Sequence, residues 1–114
     1  MNWHILKKED QLTFIDDLSN EQYCLIFKHS TRCSISTIAK SRLEKNWQLP
    51  EDKITPFYLD LISFRNISDK ITTRYAVKHQ SPQIIIIKDG IAIYDTSHLD
   101  IQIKNIEANI SEDT

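Results

Sequence analysis

The chain has 114 residues, of which 16 are acidic and 14 basic, and its single glycine is Gly90. This length predicts one domain, residues 1–114, and one glycine cannot supply the Cβ-free positions of a GxGxxG or Walker-type phosphate loop. The net charge of −2, with no basic tract, predicts that neither nucleic acid nor an anionic membrane surface is a partner.

The sequence shows no targeting or membrane segment. Residues 1–12 hold scattered apolar residues between charges, unlike a secretory signal, and apolar runs such as 84–87 are far shorter than the about 20 residues of a membrane span. We therefore expect a cytoplasmic protein, with residues 111–114 frayed. Cys24 and Cys33 are too few for a disulfide scaffold and lack zinc-site spacing, so any cysteine chemistry is expected to be catalytic.

The first half of the chain alternates helical and strand patterns. Apolar residues at helical spacing over 12–18 predict a first helix, and the apolar run 24–27 predicts a strand covered on both faces. A second, amphipathic helix follows to about residue 47, before Pro50. The predicted apolar face of that helix consists of Ile35, Ile38, Ala39, Leu43 and Trp47.

A second strand and a third helix come next. After Pro56, residues 57–62 are apolar and aromatic enough for a buried strand. Its polar residue, Asp60, is either a proton-exchanging carboxylate or, more simply, a strand-end residue whose hydrogen bonds are satisfied. Ser68 is a candidate N-cap for a helix over 68–77.

The chain closes with a predicted hairpin and a last helix. Asp89-Gly90 separates two β-rich runs and is a strong short-range hairpin signal. Ser97 is a candidate N-cap, with Asp100 as its capping-box partner, for a helix over 99–110. The order βαβα then ββα predicts an α/β fold with a mixed sheet of four to five strands. Its first half is parallel βαβ, its second half is antiparallel ββα, and helices cover both faces.

Cys33 is the leading candidate for chemistry. It follows a predicted strand and precedes an amphipathic helix, where unpaired backbone N–H groups and the helix dipole favour a thiolate over a thiol. Lys28, His29 and Arg32 favour the same form if their side chains face the sulfur. The alternative, a small buried apolar residue, is disfavoured by the polar flank 30–32.

The motif is CxxS rather than CxxC. Ser36 stands where a dithiol protein has its resolving cysteine, so Cys33 can form a mixed disulfide but cannot close an internal one with that residue. Cys24 begins roughly 16 Å away, at the other end of its strand, whereas a disulfide needs Cα atoms within about 7 Å. We therefore expect Cys24 to lie in the core.

Pro82 stands directly before the isoleucine strand. Proline is tolerated only at the first position or the edge of such a strand, so Ser81-Pro82 marks its entrance. A cis peptide bond there would turn the backbone of Ser81 toward the end of the sheet. The residues by themselves favour trans, because only about 5–6% of X–Pro bonds in folded proteins are cis.

Several segments resemble known families. Residues 74–90 resemble the second half of thioredoxin-fold proteins, in which the corresponding proline is cis and faces the reactive cysteine. Residues 27–36, 81–83 and 96–98 more closely resemble the YtxJ family, the monothiol bacilliredoxins of the bacillithiol system; they read FKHSTRCSIS, SPQ and TSH. The resemblance covers nearly the whole chain, and its KHSTRC segment is considerably more specific than a bare CxxS.

The resemblance implies a thioredoxin-like fold and a monothiol thiol-disulfide oxidoreductase. Cys33 would be the nucleophile on protein–bacillithiol mixed disulfides, with Pro82 as a cis-proline beside it. Bacillithiol would be the thiol co-substrate and bacillithiolated client proteins the partners, without a bound cofactor or metal. Ser34 replaces the proline that is common at this position in the family, and we expect it to tune the thiolate without abolishing function.

The other candidate residues are assigned around that reaction. Candidate contacts of the substrate or the small thiol are Arg32, Ser36, Ser81, Pro82, Thr96, Ser97 and His98. Arg32 and the helix start would stabilise the thiolate, and Ser81 with Pro82 would align the incoming disulfide. Residues 96–98 either cap the last helix or bind a carboxylate of the small thiol through free N–H groups.

Three alternatives use the same residues. A Cys–His hydrolase would take His29, His79 or His98 as its base, but no oxyanion-hole loop or third triad member is recognisable. A metal site of Cys24, His29 and Cys33 is disfavoured because Cys24 lies at the far end of its strand. The main rival is a non-catalytic thioredoxin-like binding or redox-sensor module whose Cys33 is modified under stress.

The scarcity of glycine also bears on the small thiol. Glutaredoxins, which share the implied fold, carry a Gly-Gly pair after the last strand that shapes their glutathione pocket. Here residues 95–98, which read DTSH, occupy that region. The missing glycines favour a different small thiol.

Overall fold

The strands form one mixed sheet with helices on both faces. The computed structural model describes residues 1–110, and the tail 111–114, predicted to fray, lies outside the described residues. In chain order the elements are β1 (His4–Ile5), α1 (Gln11–Leu18), β2 (Tyr23–His29), α2 (Ser34–Asn46), β3 (Ile54–Asp60), α3 (Arg65–Tyr75), β4 (Gln83–Lys88), β5 (Ile91–Ser97), a short 3₁₀ helix (His98–Asp100) and α4 (Ile103–Ile110).

The sheet has the order β1-β3-β2-β4-β5. β3 pairs in parallel with β1 and β2, whereas β4 pairs antiparallel with β2 and β5. This confirms the predicted parallel half and antiparallel half. The N-terminal edge strand β1 is only two residues long, so it leaves no periodic signal in the sequence.

Two predicted element boundaries in the middle of the chain are wrong. β3 begins at Ile54 and contains Pro56. A proline is tolerated there because β1 pairs only with residues 57–58 and leaves the edge beside Pro56 without a partner strand. α3 begins at Arg65, so Ser68 is a buried residue inside the helix and not its cap.

The predicted start of the last helix is also wrong. α4 begins at Ile103, and Ser97 belongs to β5, where it pairs with Gln83 and makes no side-chain cap hydrogen bond. The backbone N–H of His98 donates to the carbonyl of Pro82 at 3.1 Å. Pairing with β4 therefore holds this segment extended, and no capping box forms.

Two apolar layers cover the two faces of the sheet. Cys24 and Ile26 of β2 pack on the side of α1 and α3, whereas Leu25 and Phe27 pack on the side of α2 and α4. Successive side chains of β2 therefore point to opposite faces, as pleating requires. Within residues 1–110 no helix is long and apolar enough to cross a membrane.

The buried face of α2 differs from the predicted one. Ser36, Ala39 and Leu43 are buried, whereas Ile35 and Ile38 are 42% and 51% exposed. The helix is rotated so that the Ser36 hydroxyl points inward. The prediction failed because spacing alone treats a serine as an outward-facing residue.

The predicted hairpin turn at Asp89-Gly90 is confirmed, with φ of 55° and 73°. A Cβ at Gly90 would meet nothing within 4 Å, so a substitution there strains only the backbone.

We expect Gly90→Ala to lower the free energy of unfolding by about 1 kcal/mol, and Gly90→Asn, which tolerates positive φ better, to lower it less. Urea denaturation measures both variants, and equal losses would contradict the assignment.

Candidate active site

The predicted site segments meet at one end of the sheet, where strands begin or end. Here Lys28, near the end of β2, pairs with Gln83 at the start of β4, and Gln83 pairs with Ser97 at the end of β5. Segments 30–33 and 81–82 directly adjoin these strand ends. The fold therefore gathers the candidate residues of three separate stretches of sequence.

Cys33 is the N-cap residue of α2, as the sequence predicts. Its backbone is extended, with φ of −116° and ψ of 118°, and the residue is partly exposed. The N–H of Cys33 donates to the Ser30 carbonyl at 3.2 Å, and its own carbonyl accepts the N–H of Thr37 at 3.1 Å. Unpaired N–H groups of the first helical turn lie at this position, which suits a sulfur anion.

Ser36, the last residue of the CxxS motif, is wholly buried. Its Oγ accepts the backbone N–H of Ser30 at 3.1 Å and lies 2.7 Å from Nδ1 of His29. A hydroxyl can accept one hydrogen bond and donate another, so both contacts are satisfied together. Ser36 thus ties the loop that carries Cys33 to the first turn of α2, and it has no exposed surface for a substrate.

The hydrogen bond between His29 and Ser36 was not predicted from the sequence. His29 is 5% exposed, and its ring lies 5.6 Å, centroid to centroid, from Phe27 and from Tyr58. Burial lowers the pKa of His29, and the charge of Lys40 lowers it further. In the neutral tautomer that carries its proton on Nε2, Nδ1 accepts a hydrogen bond from the Ser36 hydroxyl.

The structure does not assemble the residues that a Cys–His hydrolase or a metal site would need. His29 is committed to Ser36, while His79 and His98 are exposed. Cys24 is buried with its Sγ 3.7 Å from the carbonyl of Ile15, and burial raises the pKa of its thiol to about 12. This confirms Cys24 as a core residue, and both cysteines are free thiols. In the described part of the chain no group of three His, Cys, Asp or Glu residues could hold a metal ion.

Lys28 does not meet the condition under which it would favour the thiolate, because its side chain does not face the sulfur. It shares the face of β2 that carries Ile26 and so points away from α2, toward α3. Its Nζ is buried without a hydrogen-bond partner among residues 1–110. Burial lowers the pKa of Lys28 to about 8, against an opposing effect of Asp69.

The entrance of β4 has one feature that the resemblance implies, a cis-proline. The Ser81–Pro82 peptide bond is cis. The Pro82 carbonyl accepts the N–H of His98, so segments 81–82 and 96–98 lie side by side. The Ser81 hydroxyl is buried and has no hydrogen-bond partner among the residues described.

Asp60 terminates β3 and stabilises the turn that follows. Its carboxylate accepts the backbone N–H groups of Ile62 and Ser63 and the hydroxyl of Ser63, at 3.2, 3.4 and 2.9 Å. This confirms the simpler interpretation of Asp60, a strand-end residue with satisfied hydrogen bonds.

The fold and the site together define a class of protein. The structure has a mixed five-stranded sheet, a cysteine at the N-cap of the helix after a central strand, and a cis-proline at the start of the next antiparallel strand. These three features are those of a thioredoxin-fold thiol oxidoreductase. The chain belongs to the monothiol bacilliredoxin BrxC family, whose model matches residues 4–106.

Solved structures agree on the fold. A protein described provisionally as an oxidoreductase with a thioredoxin fold is 30% identical, with a TM-score of 0.76 over 92% of this chain and 90% of that one. The thioredoxin of Malassezia sympodialis is 17% identical, with a TM-score of 0.75 over 96% of this chain and 89% of that one. Fasciola hepatica thioredoxin is 12% identical, with a TM-score of 0.74 over 95% and 96%.

Proposed function

We propose that this protein removes bacillithiol from protein mixed disulfides through Cys33. The Cys33 thiolate attacks the bacillithiol sulfur, a new disulfide forms between them, and the client cysteine leaves as a thiolate. A second thiol then attacks this new disulfide. It frees the Cys33 thiolate and is itself oxidised to a disulfide with bacillithiol, so the cycle needs no bound cofactor.

The observation that carries the proposal is the isolation of Cys33. It is the partly exposed thiol at the start of α2, while Ser36 fills the resolving position and Cys24 is buried in the core. A mixed disulfide on Cys33 therefore has to be resolved by a thiol from outside the chain. The family match supports bacillithiol as the small thiol in the mixed disulfide on Cys33.

The surrounding residues take the following proposed roles. Exposed Arg32 contributes positive charge near the thiolate, and the segment Ser81–Pro82 aligns the incoming disulfide. Thr96, Ser97 and His98, placed beside that segment, hold the small thiol. Ser36 acts by positioning the loop. We place the reaction in the cytoplasm, where reducing conditions keep thiols free.

Replacing Cys33 tests the proposal directly. After incubation with a bacillithiolated client, the mass of the wild-type protein should rise by one bacillithiol and the free client should appear, whereas Cys33→Ala should do neither. Cys24→Ala, checked for folding, is the matched control and should keep the activity. Client release by Cys33→Ala would refute the proposal, and an adduct on Cys33 without client release would favour a redox sensor.

A further inference from the structure

The outer face of α2 carries a regular stripe that is exposed at Ile35, Ile38 and Lys45 and half-buried at Arg42. Ile35, Ile38, Arg42 and Lys45 are separated by three, four and three residues, so they line up along one side of the helix. We call these four residues the α2 stripe. A cleft of about 420 Å³ runs along it and is lined by Thr37, Ile38, Ser41, Arg42 and Lys45.

The stripe is apolar near Cys33 and cationic farther along the helix. Ile35 and Ile38 are 42% and 51% exposed. Glu44, the acidic residue of α2, is bonded to Lys40 at 2.7 Å and to the indole N–H of Trp3 at 2.7 Å. Within residues 1–110 neither cation of the stripe has an ion-pair partner.

We propose that the α2 stripe docks the segment of the client protein that flanks its modified cysteine; this rests on the function proposed above. The occupant is an extended segment with an apolar residue near the cysteine and carboxylates farther away. Arg42 and Lys45 lie roughly 14 and 18 Å along the helix from Cys33, a span that suits a peptide segment better than a small thiol.

The geometry also fixes the spacing of the client residues. An extended chain advances about 3.3 Å per residue. The apolar side chain opposite Ile38 therefore stands about two residues from the modified cysteine. The carboxylates opposite Arg42 and Lys45 stand about four to six residues from it.

Peptide substrates test this pattern. Each peptide carries one cysteine as its bacillithiol mixed disulfide, and positions are counted from that cysteine. The acidic peptide has Leu at position two and Glu at positions four to six, whereas the basic peptide has Ser and Lys at the same positions. Each design is made twice, with these residues on the N-terminal or on the C-terminal side of the cysteine. We expect kcat/KM for the better acidic peptide to exceed that of its basic counterpart by about fivefold, and less at high salt, because two ion pairs at the protein surface contribute modestly.

Two charge-reversed variants identify the surface. R42E/K45E should lose or reverse the preference for the acidic peptide. K70E/K104E, which changes the net charge equally on exposed residues elsewhere, should keep it. All three proteins should turn over the mixed disulfide of bacillithiol with free cysteine at similar rates, since that substrate lacks the flanking segment that the stripe is proposed to bind.

The outcomes separate the two proposals. An unchanged peptide preference in R42E/K45E, or no preference in the wild type, would overturn the docking surface while leaving the proposed function intact. A wild-type protein inactive on the small disulfide would overturn the proposed function and the docking surface with it. Loss of the preference in R42E/K45E alone supports the inference.

Discussion

Replacing Lys28 with Met is expected to raise the free energy of unfolding by about 3 kcal/mol at pH 7. The Lys28 Nζ is wholly buried and has no hydrogen-bond partner in the described part of the chain. Burial lowers the pKa of Lys28 from 10.5 to about 8, so the protonated ammonium destabilises the folded state. Met keeps most of the side-chain volume and removes the charge.

The pH dependence distinguishes this cause from better packing. Because the pKa of Lys28 is lower in the folded chain, the unfolded chain binds the proton more tightly. The free energy of unfolding of the wild type therefore rises as the pH goes from about 8 to 10.5, where the destabilising charge of Lys28 is lost. The advantage of Lys28→Met should be full below pH 8 and small above 10.5. Urea denaturation from pH 6 to 11 measures it, with exposed Lys70→Met as a control that should show no such trend. A gap that is constant with pH would contradict the assignment.

Local patterns predicted most of the fold, and pairing between distant segments decided the rest. The turn at Gly90 and the buried strand before Cys33 are encoded by neighbouring residues, and both are confirmed. The start of α4 is not local, because β4 holds Ser97 in β5 and delays the helix to Ile103. The short edge strand β1 exists only because β3 is there to pair with it.

The site shows the same division. The position of Cys33 at the start of α2 follows from the strand-to-helix junction, which the sequence reveals. The inward rotation of Ser36 does not, because it depends on His29 in a different element. One signal was available: adjacent residues of a strand point to opposite faces, so Lys28 and His29 could not both face the sulfur.

Replacing Ser36 with Ala is expected to lower the free energy of unfolding by about 2 to 3 kcal/mol. The change leaves the N–H of Ser30 and Nδ1 of His29 without the hydroxyl that satisfies them, and an unsatisfied buried polar group costs about 1 to 3 kcal/mol. Ser34→Ala is the matched control: the same substitution two residues away, on an exposed side chain, should change stability by less than about 0.5 kcal/mol.

The same pair should also affect the chemistry, because it fixes the loop that carries Cys33. Without denaturant, where Ser36→Ala stays folded, we expect a lower rate of exchange on a small mixed disulfide, with Ser34→Ala nearer the wild type. A double-mutant cycle with His29→Phe, which preserves the ring packing, isolates the hydrogen bond. Its coupling energy should be about 1 kcal/mol in stability and should recur in the exchange rate. Additive effects would show that Ser36 and His29 act independently, and a coupling seen in stability alone would confine the pair to folding.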